Sequence, residues 1–356
     1  MIKLKLMIIG LLIVSLGCTQ QSNNNILSFK YGVIFTSNLY NKSKIVLFSQ
    51  NWDVVEEINL DIGGLQKGKI YKENLYVPVT GIPSEPGNKI LEFNMKTGNK
   101  RYIKTKKLPI KLVVKDNFLY VIHNTSIDSG LLTKINIKNN NIIKEKRLSG
   151  VLREIAIAND KINVIADDPV SKNQNIYELD ENLNEINIEP NKFTAFPTDS
   201  LYFNGMLLII NNAKYDFLGP TNKIVAFKSK NSSLELVKLK EEAPYQIFKN
   251  DDNIIITHYD FPTRSGNKVT VLNNELNQKK VYYLKNDLYL SHMGDNVLYS
   301  LDHNYKLYQY NINDFALLSE YQLKKIKGMV IADFFVLDGD DLNGADTSYL
   351  VLGSLL

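Results

Sequence analysis

The feature that most constrains the fold is an internal repeat. Six stretches share an apolar strand, a tight turn and a second apolar strand: 69–80, 110–123, 154–166, 199–210, 245–258 and 288–302. Their turns fall at Glu73-Asn74, Asp116-Asn117, Asn159-Asp160, Asn204-Gly205, Asp251-Asp252 and Asp295-Asn296. Asn, Asp and Gly tolerate the left-handed backbone that joins antiparallel strands tightly. A second hairpin follows each pair, so the unit recurs every ~43 residues, within the span of propeller blades. Four short strands cannot bury both faces alone, so each unit must stack on its neighbours around an axis. The expectation is an all-β propeller of four-stranded antiparallel blades, with strands A to D running outward from the axis. Segments 26–61 and 328–353 extend the count to eight units, the last one short. The alternative is a seven-bladed ring, in which the two ends would share a blade.

The string Ile90-Leu91-Glu92-Phe93-Asn94-Met95-Lys96-Thr97-Gly98-Asn99 resembles the strand-and-turn signature of quinoprotein-like and YVTN-type propellers. The resemblance implies fold alone. Quinoprotein dehydrogenases carry docking tryptophans in most blades, whereas this chain has only Trp52, so no quinone cofactor is expected. Trp52-Asp53 matches the WD dipeptide once, in a turn, and gives no WD40 identity.

The amino terminus speaks of location. Lys3 and Lys5 precede an apolar run from Leu6 to Leu16, then Gly17, Cys18 and a polar stretch from Thr19 to Asn25. This is the grammar of a secretory signal peptide, and the apolar core is too short for the ~20 residues of a membrane-spanning helix. Leu12 to Cys18 resembles a bacterial lipobox, with Ser15 where Leu is commoner. The resemblance implies cleavage before Cys18 and diacylglycerol on its thiol. The expected organisation is a signal peptide over 1–17, a lipidated cysteine and tether over 18–25, and a propeller over 26–356.

Cys18 is the only cysteine, so the mature domain is expected to lack disulfides and thiolate metal sites. Cleavage would remove two lysines and lower the formal charge from +4 to +2. A near-neutral chain gives no electrostatic case for nucleic acid. The richness in Lys, Asn, Ile and Tyr points to a low-GC genome and a Gram-positive cell, with the protein on the outer face of the cytoplasmic membrane.

Binding chemistry concentrates in loops on rigid scaffolds. The B-to-C connections read as longer and chemically richer than the A-to-B turns, which makes theirs the expected functional face. Aligning the B strands puts His123, His258, Asp302 and Asp338 at one position, with Asp167, Asn211, Tyr259 and His303 one residue later. These eight are the candidate binding residues around the channel mouth, for an anionic sugar or a peptide. The competing account is that strand ends entering solvated loops are polar anyway. No nucleophile with its base, metal-ligand set or phosphate-cradling loop is evident, so no catalytic residue is assigned.

Two charged strings have plain structural accounts. The run from Lys100 to Lys107 holds five basic residues and fits an outer D strand whose lysines discourage edge pairing, or else a polyanion site. The string from Asp341 to Gly353 resembles an integrin-type calcium loop at Asp341 and Asn343. Ala345 and Tyr349 occupy the places of two further ligands, so no calcium or other cofactor is expected to bind tightly.

The function expected is that of a non-enzymatic lipoprotein platform, held to the membrane by Cys18 and binding a protein, peptide or glycan. This use resembles that of the lipoprotein family that assists outer-membrane protein assembly through an eight-bladed ring. The alternative is a propeller hydrolase, lyase or lactonase using the mouth His and Asp residues, with calcium as an auxiliary.

Overall fold

The structure is a computed structural model that describes residues 28–337 apart from 169, 171, 192–194, 215–218 and 295. Strands β1 (Tyr31–Thr36), β2 (Ser43–Phe48) and β3 (Val54–Leu60) come first. Then follow β4 (Lys69–Tyr71), β5 (Asn74–Ile82), β6 (Glu85–Asn94) and β7 (Lys100–Lys104). The next quartet is β8 (Pro109–Lys115), β9 (Phe118–Asn124), β10 (Ser129–Asn136) and β11 (Asn141–Ser149). After it come β12 (Val151–Ala158), β13 (Lys161–Asp167), β14 (Gln174–Leu179) and β15 (Glu185–Asn191). The fifth set is β16 (Ala195–Phe203), β17 (Met206–Lys214), β18 (Lys223–Lys228) and β19 (Ser233–Lys238). The sixth is β20 (Pro244–Asn250), β21 (Asn253–Asp260), β22 (Ser265–Leu272) and β23 (Gln278–Tyr283). The last are β24 (Leu290–Gly294), β25 (Val297–Leu301), β26 (Lys306–Asn311), β27 (Leu317–Gln322) and β28 (Val330–Val336). Among the described residues the only helical element is a single 3-10 turn, Ser229–Asn231.

These strands form seven four-stranded antiparallel sheets. Six are consecutive quartets. The remaining sheet has the order β28-β1-β2-β3, so the last strand supplies the inner edge of the first blade. Tyr31 pairs with Val336 and Thr36 with Val330. The ring therefore has seven blades, and the count of eight gives way to its alternative. Residues 28–30 form no A strand of their own. Of the strands expected in 328–353, only A lies within the described residues, and β1 to β3 complete its blade.

Three A-to-B turns behave as their residues require, whereas blade 2 turns at Lys72-Glu73, one residue before the expected pair, because Tyr71 pairs with Asn74. Asp116 and Asn117 have φ of 49° and 65°, Asn159 and Asp160 of 49° and 61°, and Asn204 and Gly205 of 47° and 80°. Apolar layers fill the space between successive blades. Ile34, Ile45 and Leu47 of blade 1 meet Leu75, Val77 and Phe93 of blade 2. Ile210 and Ile224 of blade 5 meet Ile247, Ile254 and Ile256 of blade 6. Each such buried side chain is worth roughly 1.5–3 kcal/mol. At the closing seam Trp52 stacks between Tyr31, at 3.9 Å, and Tyr321, at 5.0 Å.

The outer strands explain the basic run. In β7, Arg101 pairs with Glu92 at 2.7 Å and bonds the Ile137 carbonyl of the next blade, while Lys106 beyond it pairs with Glu145. Lys100 donates to the Asn59 carbonyl of the preceding blade. Charged side chains at a sheet edge oppose strand addition.

Candidate functional site

The polar ends of the B strands serve the blades themselves. His123 ends β9 with no exposed surface. Its Nδ1–H donates to the Lys107 carbonyl at 3.2 Å, which leaves Nε2 to accept from the Thr133 hydroxyl at 3.0 Å. His258 repeats the arrangement in blade 6, with the Glu242 carbonyl at 2.7 Å and the Thr270 hydroxyl at 2.8 Å. Burial holds both imidazoles down to about 4, against partial opposition from those carbonyls, so both are neutral at pH 7. Neither offers a face to solvent.

Asp167 is buried and pairs with Arg153 Nε at 2.7 Å. Burial raises its pKa, and the Arg153 and Gln174 hydrogen bonds only partly oppose that. Asn211 is fully buried and donates to the Ile209 carbonyl. The ladders put it level with His123 and His258, because Pro197, Pro109 and Pro244 are the respective inner-strand partners. Asp302 accepts from the amides of Asn304 and Lys306 at 2.8 Å, shaping the turn that lifts His303 outward. Asp338, Asp341, Asn343 and Cys18 lie outside the described residues.

The structure brings two of the eight together. Tyr259 bonds the His303 imidazole through its hydroxyl, and the two rings belong to an aromatic wall across blades 6 and 7. Phe261 stands edge-on to Tyr259 and Tyr245, at 5.4 and 5.0 Å, and His303 stacks on Tyr289 at 4.1 Å. Phe261 is 44% exposed at the tip of the β21–β22 hairpin. This B-to-C connection is short where a longer one is expected, since Asp260 still pairs with Ser265 and only four residues turn. Gly266, at φ +152°, lets that hairpin close, because a Cβ there would lie 2.4 Å from the His258 carbonyl oxygen. Its amide donates to Asp287, and its carbonyl accepts from Leu288, fastening the hairpin to the loop that carries Tyr289.

Sequence reasoning missed the channel itself. Five inner strands carry a bulge at one level, at Ile110, Arg153, Thr198, Tyr245 and Ala332. The residues that follow these bulges are Lys111, Glu154, Asp199, Gln246 and Asp333. Bulges re-aim side chains, and all five of these bond the neighbouring blade. Asp333 accepts from the Gly68 amide at 2.8 Å and Asp199 from the Ile247 amide at 3.1 Å. Gln246 bonds both the amide and the carbonyl of Ser291, and Glu154 pairs with Lys111. A belt of hydrogen bonds thus links blades around the axis.

Lys67 and Lys69, at the start of the blade 2 inner strand, face the same space. Both are exposed, yet Lys67 of blade 2 feels Asp333 of blade 1, Glu154 of blade 4 and Asp199 of blade 5. Only the axis is near all four blades, so the exposed surface is that of a wet central channel. Enclosure disfavours the Lys67 charge, but those three carboxylates outweigh it and its pKa is raised. The balance reverses at Lys69, where enclosure and then Lys67 lower the pKa against Asp199 and Glu154. His292 of blade 7 is pushed down to about 4 by burial and by Lys67, Lys69 and Lys30. Asp333 is pushed up to about 6 by burial, with Lys67 opposing. Tyr245 joins channel to wall, because it faces Asp199 and Asp333 as well as Tyr259 and Tyr289. Among the described residues no three His, Cys, Asp or Glu side chains are grouped to hold a metal ion.

No family model matches this chain, and no curated protein matches it in sequence. Solved structures match in shape. A functionally unknown protein from Desulfotomaculum acetoxidans superposes with a TM-score of 0.61 at 11% identity, over 85% of this chain and 98% of that one. BamB from Moraxella catarrhalis gives 0.51 at 9% identity, over 84% and 92%, and Kluyveromyces lactis Hsv2 gives 0.53 at 12%, over 74% and 84%. The chain is a seven-bladed β-propeller. At these identities the likeness is one of fold alone.

Proposed function

We propose that this propeller is a non-enzymatic binding platform, tethered outside the cytoplasmic membrane by acyl chains on Cys18. The observation that carries the binding reading is the aromatic wall of Phe261, Tyr289 and His303, backed by the fully buried Tyr259, which opens through Tyr245 onto a charged, water-accessible channel. A rigid ring that places exposed aromatic surface beside enclosed charge suits capture of a protein, peptide or glycan. The two buried histidines are committed to threonine hydroxyls and carbonyls, and those hydroxyls have no exposed surface for a substrate to reach.

The anchoring part of the reading is supported by the sequence around Cys18, and two acyl chains give a stable hold where one gives a marginal one. The test uses the full chain in its own membranes. Phe261→Ser with His303→Ala should abolish co-purification of the partner that the wild type retains, without lowering the unfolding midpoint. Cys18→Ser should move the folded protein to the soluble fraction. Partner recovery indifferent to the wall substitutions would refute the binding site, and a Cys18→Ser protein still in washed membranes would refute the anchor.

A further inference from the structure

The channel carries a further assignment, which rests on the binding reading above and names the chemistry of the ligand. Its acids are committed. The Asp333 carboxylate accepts from the amides of Gly68 and Phe334, and that of Asp199 from the amides of Ile247 and Ser200. Glu154 holds Lys111 and its neighbour's amide. The ammonium groups of Lys67 and Lys69, by contrast, make no hydrogen bond or ion pair with another described residue, although Gly68 between them bonds Asp333 at the axis. The carboxylates near Lys67 act at longer range and keep their oxygens on other donors, so both ammonium groups stand open to a further anion in direct contact.

We propose that Lys67 and Lys69 receive the terminal carboxylate of a peptide that enters the channel mouth with its last side chains against Tyr245 and Phe261. Three features favour a peptide. The wall is built of rings packed edge-on, which suits an apolar side chain better than the flat faces that sugars stack upon. Around it the B-to-C tips carry exposed apolar residues, including Leu39, Ile127 and Val170 at 70, 73 and 85% exposure. A peptide also brings backbone donors and acceptors that can displace channel water without leaving polar groups unpaired. The lysines fix the direction of entry. Lys69 is the better seat for the anion, since Lys67 and Lys111 already crowd it with positive charge and a carboxylate there would relieve all three.

The test uses the full chain in detergent and two fluorescein-labelled decapeptide pools, randomised at the last four positions. One pool ends in a free carboxylate and the other in an amide. Fluorescence anisotropy should show the acid pool binding at least tenfold more tightly. Lys67→Gln with Lys69→Gln should erase that preference, whereas Lys104→Gln on an outer strand should not. Three outcomes overturn the assignment: equal affinity for the two pools, an acid preference that survives the double substitution, or no binding of either pool. An oligouronate retained through the same lysines in place of the peptides also overturns it, in favour of a glycan. If affinity for the two pools is equal yet falls with Phe261→Ser, the carboxylate seat fails while the binding face stands.

Discussion

The ends of the B strands and the start of the blade 2 A strand are both polar, but they use polarity in opposite ways. At the B ends His123, Asp167, Asn211 and His258 are buried to 2% exposure or less and turn their polar atoms to neighbouring strands and loops. Along the A strands Lys67 and Lys69 keep theirs in water, inside the ring. In this ring, polar character at the B-strand ends is spent joining segments, and the inner edge carries both joining groups and the two lysine ammonium groups left open. The two sets should separate under perturbation.

The largest separation should appear with pH. His123, His258 and His292 have folded values of about 4 against 6.5 when unfolded. A depressed base contributes stability that is present above 6.5 and is lost as pH falls toward 4. Asp333 runs the other way, because its value of about 6 exceeds the unfolded 3.8 and its contribution is lost as pH rises through 6. Three protons against one leaves a net loss on acidification between pH 6.5 and 4. At 1.36 kcal/mol per proton and pH unit this is roughly 2–3 kcal/mol per unit at its steepest. Urea midpoints across that range check it. Asp333→Asn should steepen the acid loss, and His258→Gln should flatten it.

Next in size is His258→Ala, which strands the Glu242 carbonyl and the Thr270 hydroxyl and opens a cavity between strands. A loss of about 2–4 kcal/mol is expected, read as a lowered urea midpoint with unchanged slope. Gln246→Ala tests the belt. It breaks both bonds to Ser291 and should cost about 1–2 kcal/mol, with the loss shared by blades 6 and 7 in hydrogen exchange. The smallest effect belongs to Lys67→Gln, expected within about 0.5 kcal/mol of wild type. A drop as large as that of His258→Ala would erase the distinction between joining and open polarity.

Much of the ring is legible along the chain. The turn residues announce the A-to-B hairpins, and Asp116-Asn117 and Asn159-Asp160 adopt the left-handed backbone their chemistry favours. Blade number is not local information. The β1–β28 ladder joins residues about three hundred positions apart, and a terminal A strand reads the same whether it founds a new blade or completes the first. The channel is hidden for another reason. Lys111, Glu154, Asp199, Gln246 and Asp333 occur one per blade, each after an extra residue that breaks period-2 alternation. Counting parity from the turn therefore sends these side chains to the wrong face. Aligning the A strands through their B-strand partners would have exposed the level they share.

The wall was half visible. Tyr259 and His303 stand out as polar aromatics after B strands, whereas Tyr245 and Tyr289 sit in segments that read as ordinary A-strand entries. Their convergence depends on the Gly266 closure and on the fastening of Asp287 to the hairpin.

Strand β28 is the latch of the circle and also one stave of its bore, since Asp333 lies on it. Of the described strands the ribosome makes it last. A nascent molecule still short of Val330 has an unlatched rim and an incomplete bore. Closure of the ring and completion of its bore thus arrive in a single docking event, and trimming the carboxyl end back past this strand would undo both together.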